Sequence, residues 1–187
     1  MKYFTLILIV VFSLTAGAKE FHEVKMADDI SVAGQKLFLK GMGLRELSFI
    51  GIIIRVYVGG LYSSDLKLDC PGIIQGDKTR VVYMSFLRHV SPYDLNKSLK
   101  EGIENNCGTK CKELVPRADE LKSLVPAVNS GDLMKITFDS KGTAFQLNDK
   151  VMGRVEGVDF SKTLLSAFIG QHPATEDLKA GMCGLKD

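Results

Sequence analysis

Residues 41–62 read GMGLRELSFIGIIIRVYVGGLY. From Ser48 to Tyr62 the stretch is rich in Ile, Val and Tyr, side chains that suit a pleated strand, and glycines 41, 43, 59 and 60 punctuate it. Arginines interrupt this apolar run, Arg45 at its mouth and Arg55 inside it. If the run is extended without a bulge, even separations place Arg45, Arg55 and Tyr57 on one face of a sheet and Ile52, Ile54, Val56 and Val58 on the other. The apolar set then lies beneath helices, and the cationic and phenolic set faces water or a ligand.

The neighbouring segments give that strand its partners. Phe21 to Met26 and Lys36 to Lys40 alternate in polarity, and Thr79 to Leu87 is a further strand. They follow one another too closely for crossover helices, which favours hairpins in an antiparallel sheet. Ser91-Pro92 then opens a helix in which Leu95, Leu99 and Ile103 recur at four-residue spacing, with the serine as cap and the proline in the first turn. A second, polar helix is expected over Ala118 to Asn129. Leu133 to Phe138, Ala144 to Leu147 and Val151 to Glu156 return to short alternating runs, joined by the turn sequences Ser140-Lys141-Gly142 and Asn148-Asp149. A helix from Asp159 to Ile169, with Phe160, Leu164, Leu165 and Phe168 on one face, and a shorter one from Thr175 to Met182 complete the chain. The class is α+β: an antiparallel sheet with helices on one face.

The N-terminus has a separate character. Lys2, an apolar stretch from Phe4 to Leu14 and the small residues Ala16-Gly17-Ala18 have the layout of a cleavable secretory signal over residues 1–18. The apolar core is short for a bilayer span, so export rather than anchoring is expected. Residues 19–187 have the size of one domain. With 24 basic and 22 acidic residues the chain is nearly neutral, and no Lys/Arg block points to nucleic acid or to a membrane patch.

The four cysteines, Cys70, Cys107, Cys111 and Cys183, suit an oxidising compartment and read as disulfides. The short loop NNCGTKC makes Cys107 with Cys111 the economical pair and leaves Cys70 with Cys183. Metal is not expected, since structural zinc needs four nearby ligands and the three histidines, His22, His89 and His172, are scattered. No cofactor is expected either, because HExxH, GxSxG, CxxC and GxGxxG are all absent. GIIQGDKT, residues 72–79, has the wrong spacing for a phosphate loop and reads as a turn between strands.

Arg45 and Tyr57 carry the chemical signal. A guanidinium removed from water needs a planar oxyanion for its parallel N–H donors, and a nearby phenol adds one more donor. The pair suits the acidic head of a ligand whose apolar body lies among side chains such as Phe49 and Ile53. The alternative is that Arg45 pairs with an internal Asp or Glu and only fixes the hairpin. Arg55 reads as structural, solvated or covering the sheet with its stem.

KLFLKGMGLRELSFIGIIIRVYVGGLY, then LRHVSPYDLNKSLKEGI, then LLSAFIGQHPATEDLKAGMCG resemble the bacterial chalcone isomerase-like proteins from about Glu23 to Leu185. The G-x-R element followed by VYVGGLY is the most specific part. The resemblance implies an open-faced β-sandwich, a large antiparallel sheet under a layer of helices with the ligand cleft between them, whereas strand parity puts the cleft on the opposite face. It also implies a periplasmic location. Arg45 falls on the arginine that holds the anionic oxygen in the plant isomerases. Tyr57 stands where those enzymes carry a threonine, Tyr93 aligns with the catalytic tyrosine, and Lys100 replaces an asparagine. Fatty-acid-binding members of the fold grip a carboxylate with the arginine and a tyrosine, and Arg45 with Tyr57 is similar to that arrangement. The resemblance thus implies noncatalytic binding of a fatty-acid-like molecule. Its alternatives are an isomerase (intramolecular lyase) and an interaction protein with a closed cleft.

Overall fold

The computed structural model describes residues 17–186. The expected signal peptide therefore lies outside the described residues, apart from Gly17 and Ala18. The stretch 41–62 is not one strand from Ser48 to Tyr62 but two arms of a hairpin: β4 (Gln35–Phe49) and β5 (Ile52–Ser63), paired antiparallel. Ile50 and Gly51 form the tight turn, with φ of 48° and 77°. Both values lie in the left-handed region that a two-residue turn of this kind requires. The strand reading ran through the turn because isoleucine carries no turn signature.

With β3 (Asp29–Val32), β6 (Arg80–Phe86), β7 (Leu133–Phe138), β8 (Gly142–Leu147) and β9 (Lys150–Glu156), the hairpin belongs to a seven-stranded sheet, antiparallel throughout, whose spatial order is the chain order. A separate hairpin, β1 (Ala18–Phe21) and β2 (Val24–Ala27), packs on the smaller core. Two cores result. The larger lies between sheet and helices, with Leu61, Met84 and Phe145 against Leu99, Ile103 and Phe168. The smaller contains Leu44, Val58, Tyr62 and Val81 with Met26, and the Tyr62 hydroxyl donates to the Ala27 carbonyl at 2.9 Å.

Asp139 closes the turn between β7 and β8. Its carboxylate accepts from the Lys141 and Gly142 amides and, at 2.6 and 2.8 Å, from the two terminal nitrogens of Arg154. The Arg154 hydrogen bonds hold its pKa below the ordinary carboxylate value. A depressed folded pKa stabilises above the unfolded value and loses that contribution as pH falls. Asp139→Asn should cost about 1–2 kcal/mol at neutral pH. In urea melts its difference from the wild type should close below roughly pH 4.

The helices begin where local chemistry dictates. Asp69 accepts from the Gly72 amide at 2.8 Å and, with Pro71, starts α1 (Cys70–Gln75), a helix that occupies the first half of the expected 72–79 turn. Ser91 caps α2 (Pro92–Asn106), which buries Leu95, Leu99 and Ile103 as their spacing requires. The polar helix expected over Ala118 to Asn129 does not form. An earlier helix, α3 (Cys111–Ala118), ends where the expected one should begin, and within the expected span stands only the single turn α4 (Leu121–Leu124). Pro126 forces Val125 out of the helical region, to φ −117° and ψ 99°, and Val128 pairs with Val90 as an isolated bridge.

α5 (Val158–Ile169) packs against α2, and α6 (Glu176–Met182) crosses β4. Cys107 is bonded to Cys111, and Cys70 to Cys183, which ties α1 to the end of α6. No described helix is long and apolar enough to cross a membrane.

Candidate functional site

Arg45 on β4 lies directly opposite Tyr57 on β5. The next pair toward the turn is Glu46 with Arg55, so Val56 has no partner and forms a bulge. That extra residue breaks the strict alternation over residues 45–58. Val56 and Tyr57 both reach the helix-side core, while Val58 and Arg55 lie on the far face, Arg55 beside Glu46 at 3.3 Å. The parity reading is corrected accordingly: Arg45 and Tyr57 line a cleft between sheet and helices, and Arg55 is not with them.

Two neighbouring spaces share Arg45 in their walls. The inner one, about 120 Å³, is closed by Arg45, Tyr57 and Met84 from the sheet, Leu99 and Gly102 from α2, and Phe168 from α5. The outer one, about 370 Å³, is an open groove running from Arg45 past Leu47, Ile54 and Val56 toward the hairpin turn. Ser98 and Glu101 line both. Gly102 lets the helices come close, since a Cβ built there would lie 2.5 Å from the Ala167 Cβ.

Tyr57 is only 6% exposed, with its ring edge-on to Phe86 at 5.7 Å between centroids. Burial raises its phenol above the ordinary value, opposed by the charge of Arg45. It therefore stays protonated, with its O–H available as a donor. The Arg45 Nη1 donates to the Glu46 carbonyl at 2.8 Å. None of the ion pairs among the described residues includes Arg45. The neighbouring carboxylates are engaged elsewhere: Glu46 with Arg55, and Glu101 with Lys97 at 3.9 Å. The guanidinium thus keeps donors for an anion at the junction of the two spaces.

The other named positions are dispersed. Tyr93 is 74% exposed and lines a separate groove with Lys97, Lys100 and Lys122. Phe49 and Ile53, expected around an apolar ligand body, stand at the hairpin tip, 64% and 66% exposed. The residues missed in the sequence are Ser98, Glu101 and Gly102 of α2 and the loop from His172 to Ala174. A glycine in mid-helix, on the side of the buried Leu95 and Leu99, was the available signal for a close approach beside a cleft.

Comparison with known proteins accords with the fold. Residues 18–184 match the family model described as chalcone isomerase-like. Among solved structures, the chain is similar to the Arabidopsis thaliana fatty-acid binding protein AtFAP1, with a TM-score of 0.72 and 14% identity, over 89% of this chain and 96% of that one. No curated protein matches the sequence.

Proposed function

The chain belongs to the chalcone isomerase-like family, and from that premise we propose that it is an exported, noncatalytic binding protein for a fatty-acid-like or other apolar anionic small molecule. One observation carries the reading: Arg45, without a carboxylate partner among the described residues, faces a buried protonated phenol where a small space adjoins a groove with an apolar wall of Leu47, Ile54 and Val56. The guanidinium and phenol hold the acidic head. Sites that enclose a drug-sized ligand span roughly 300–1,000 Å³. The inner space, at about 120 Å³, takes the head alone, so the tail lies in the outer groove along Leu47, Ile54 and Val56.

The placement of Tyr93 and Lys100 in a separate groove favours binding over isomerase chemistry, which needs its polar groups gathered on one substrate. Export, with the periplasm as destination, draws support from the signal-like residues 1–18 and from two disulfides that need an oxidising compartment.

Titration of the delipidated protein with saturated fatty acids of increasing chain length tests the proposal. Arg45→Ala should weaken binding about 10- to 100-fold, the worth of a charge-assisted hydrogen bond, and Tyr57→Phe by less than about tenfold. Absence of saturable binding to the wild type would sink the carrier reading. Chalcone turnover above the spontaneous rate, abolished by Arg45→Ala, would replace it with the isomerase.

A further inference from the structure

The tip of the β4–β5 hairpin is the most exposed apolar feature of the described chain. Residues 47–54, LSFIGIII, carry no charge, and Ile50 at the apex is 84% exposed. Its φ of 48° is a conformation that suits glycine, asparagine or aspartate and that a β-branched residue adopts only at a cost. An isoleucine there favours neither the folded backbone nor contact with water. The environment that suits it lies outside the folded chain.

The surroundings indicate which environment. Behind the tip stand Arg45, Arg55, Arg88 and Lys97 with His89, against Glu46, Asp94 and Glu101, so the collar is net cationic. Arg55 offsets Glu46 and Lys97 offsets Glu101, and no ion pair of the described residues engages Arg88. Ile50 lies three residues beyond Leu47, about 10 Å along an extended strand. Interfacial elements bury their apolar side chains to roughly 5–10 Å in a bilayer. An uncharged wedge of that length below a basic collar matches hydrocarbon below anionic headgroups. A second copy docked tip to tip would bring two basic collars together.

We propose that this hairpin tip inserts into the surface of an anionic lipid bilayer. Leu47 and Ile54 belong both to the wedge and to the outer groove, so insertion sets the mouth of the groove at the acyl layer. An amphiphile then enters head first, and its tail follows from the acyl layer without crossing water. That purpose rests on the acid-binding reading, but the insertion itself does not, and it is measured on protein stripped of ligand.

The test is cosedimentation of the oxidised protein with vesicles of phosphatidylcholine, alone or mixed with phosphatidylglycerol. The wild type should partition onto the mixed vesicles. Ile50→Asn creates an Asn-Gly turn suited to the backbone, so its thermal midpoint should hold or rise while partitioning falls about tenfold or more. Replacing Arg55 and Arg88 with Gln should weaken binding severalfold on mixed vesicles and little on phosphatidylcholine alone. No partitioning of the wild type, or partitioning untouched by Ile50→Asn, would overturn the proposal. So would a wild-type dimer in sedimentation velocity that Ile50→Asn dissociates, which would make the tip an interface between copies.

Discussion

Replacing Cys70 and Cys183 together by alanine is expected to lower the free energy of unfolding by about 5 kcal/mol, against about 2 kcal/mol for the Cys107 and Cys111 pair. The difference follows from the chain each bond encloses. The first joins residues 113 apart and the second residues 4 apart, so the first removes far more freedom from the unfolded ensemble. Alanine is the suitable replacement because both Cys70 and Cys183 are buried, and serine would add an unpaired hydroxyl. A loss of this size takes a large share of the stability of an ordinary domain. It also frees α6, which packs on β4 two residues from Arg45. Urea unfolding without reductant measures both variants. Equal losses for the two pairs would refute the account based on loop length.

Gly43→Ala should cost about 3 kcal/mol, an overpacking penalty at the upper end of the usual range. For a domain of this size the midpoint should fall by roughly 10 °C. A Cβ on Gly43 would overlap the Leu178 carbonyl oxygen and approach the Leu178 Cα to 2.9 Å. A Cβ on Gly181, across the same contact, would lie 2.6 Å from the Gly43 Cα. Helix and strand meet backbone to backbone, and no side chain can rotate aside. This is the physical reason for the glycine in the G-x-R element, since it seats α6 against the strand that carries Arg45. Gly60→Ala is the control. Its Cβ would meet the flexible end of Met26, and a loss of about 1 kcal/mol or less is expected in calorimetry. If Gly43→Ala proved as mild as Gly60→Ala, close backbone packing would not be what holds α6.

Much of the architecture was legible because its signals are local. Ser91-Pro92 starts a helix wherever it precedes Leu95, Leu99 and Ile103, and the alternating runs around 133–156 can only be short strands. The segments misread lacked such signals or sent conflicting ones. Ile50-Gly51 turns the chain inside an apolar run, and Pro126 divides a polar stretch whose composition reads as helix. In the first, the surrounding packing overrode the propensity of the residues; in the second, the proline acted locally on Val125 within a stretch whose composition favours helix.

The candidate site divides in the same way. Residue types alone pointed to Arg45 and Tyr57, because a cation and a phenol in an apolar strand need an explanation wherever the strand lies. Which face they occupy was beyond parity. One unpaired residue, Val56, inverts the alternation, and a bulge is a property of two strands in register rather than of either strand's sequence. Likewise, Phe49 and Ile53 were legible as apolar but not as exposed, since exposure depends on which elements come to cover a hairpin and here none covers its tip. The sequence by itself determined the elements, the class and the chemistry of the two key side chains. The tertiary structure decided which of them meet in one cleft, because that depends on register and on contacts between residues far apart in the chain.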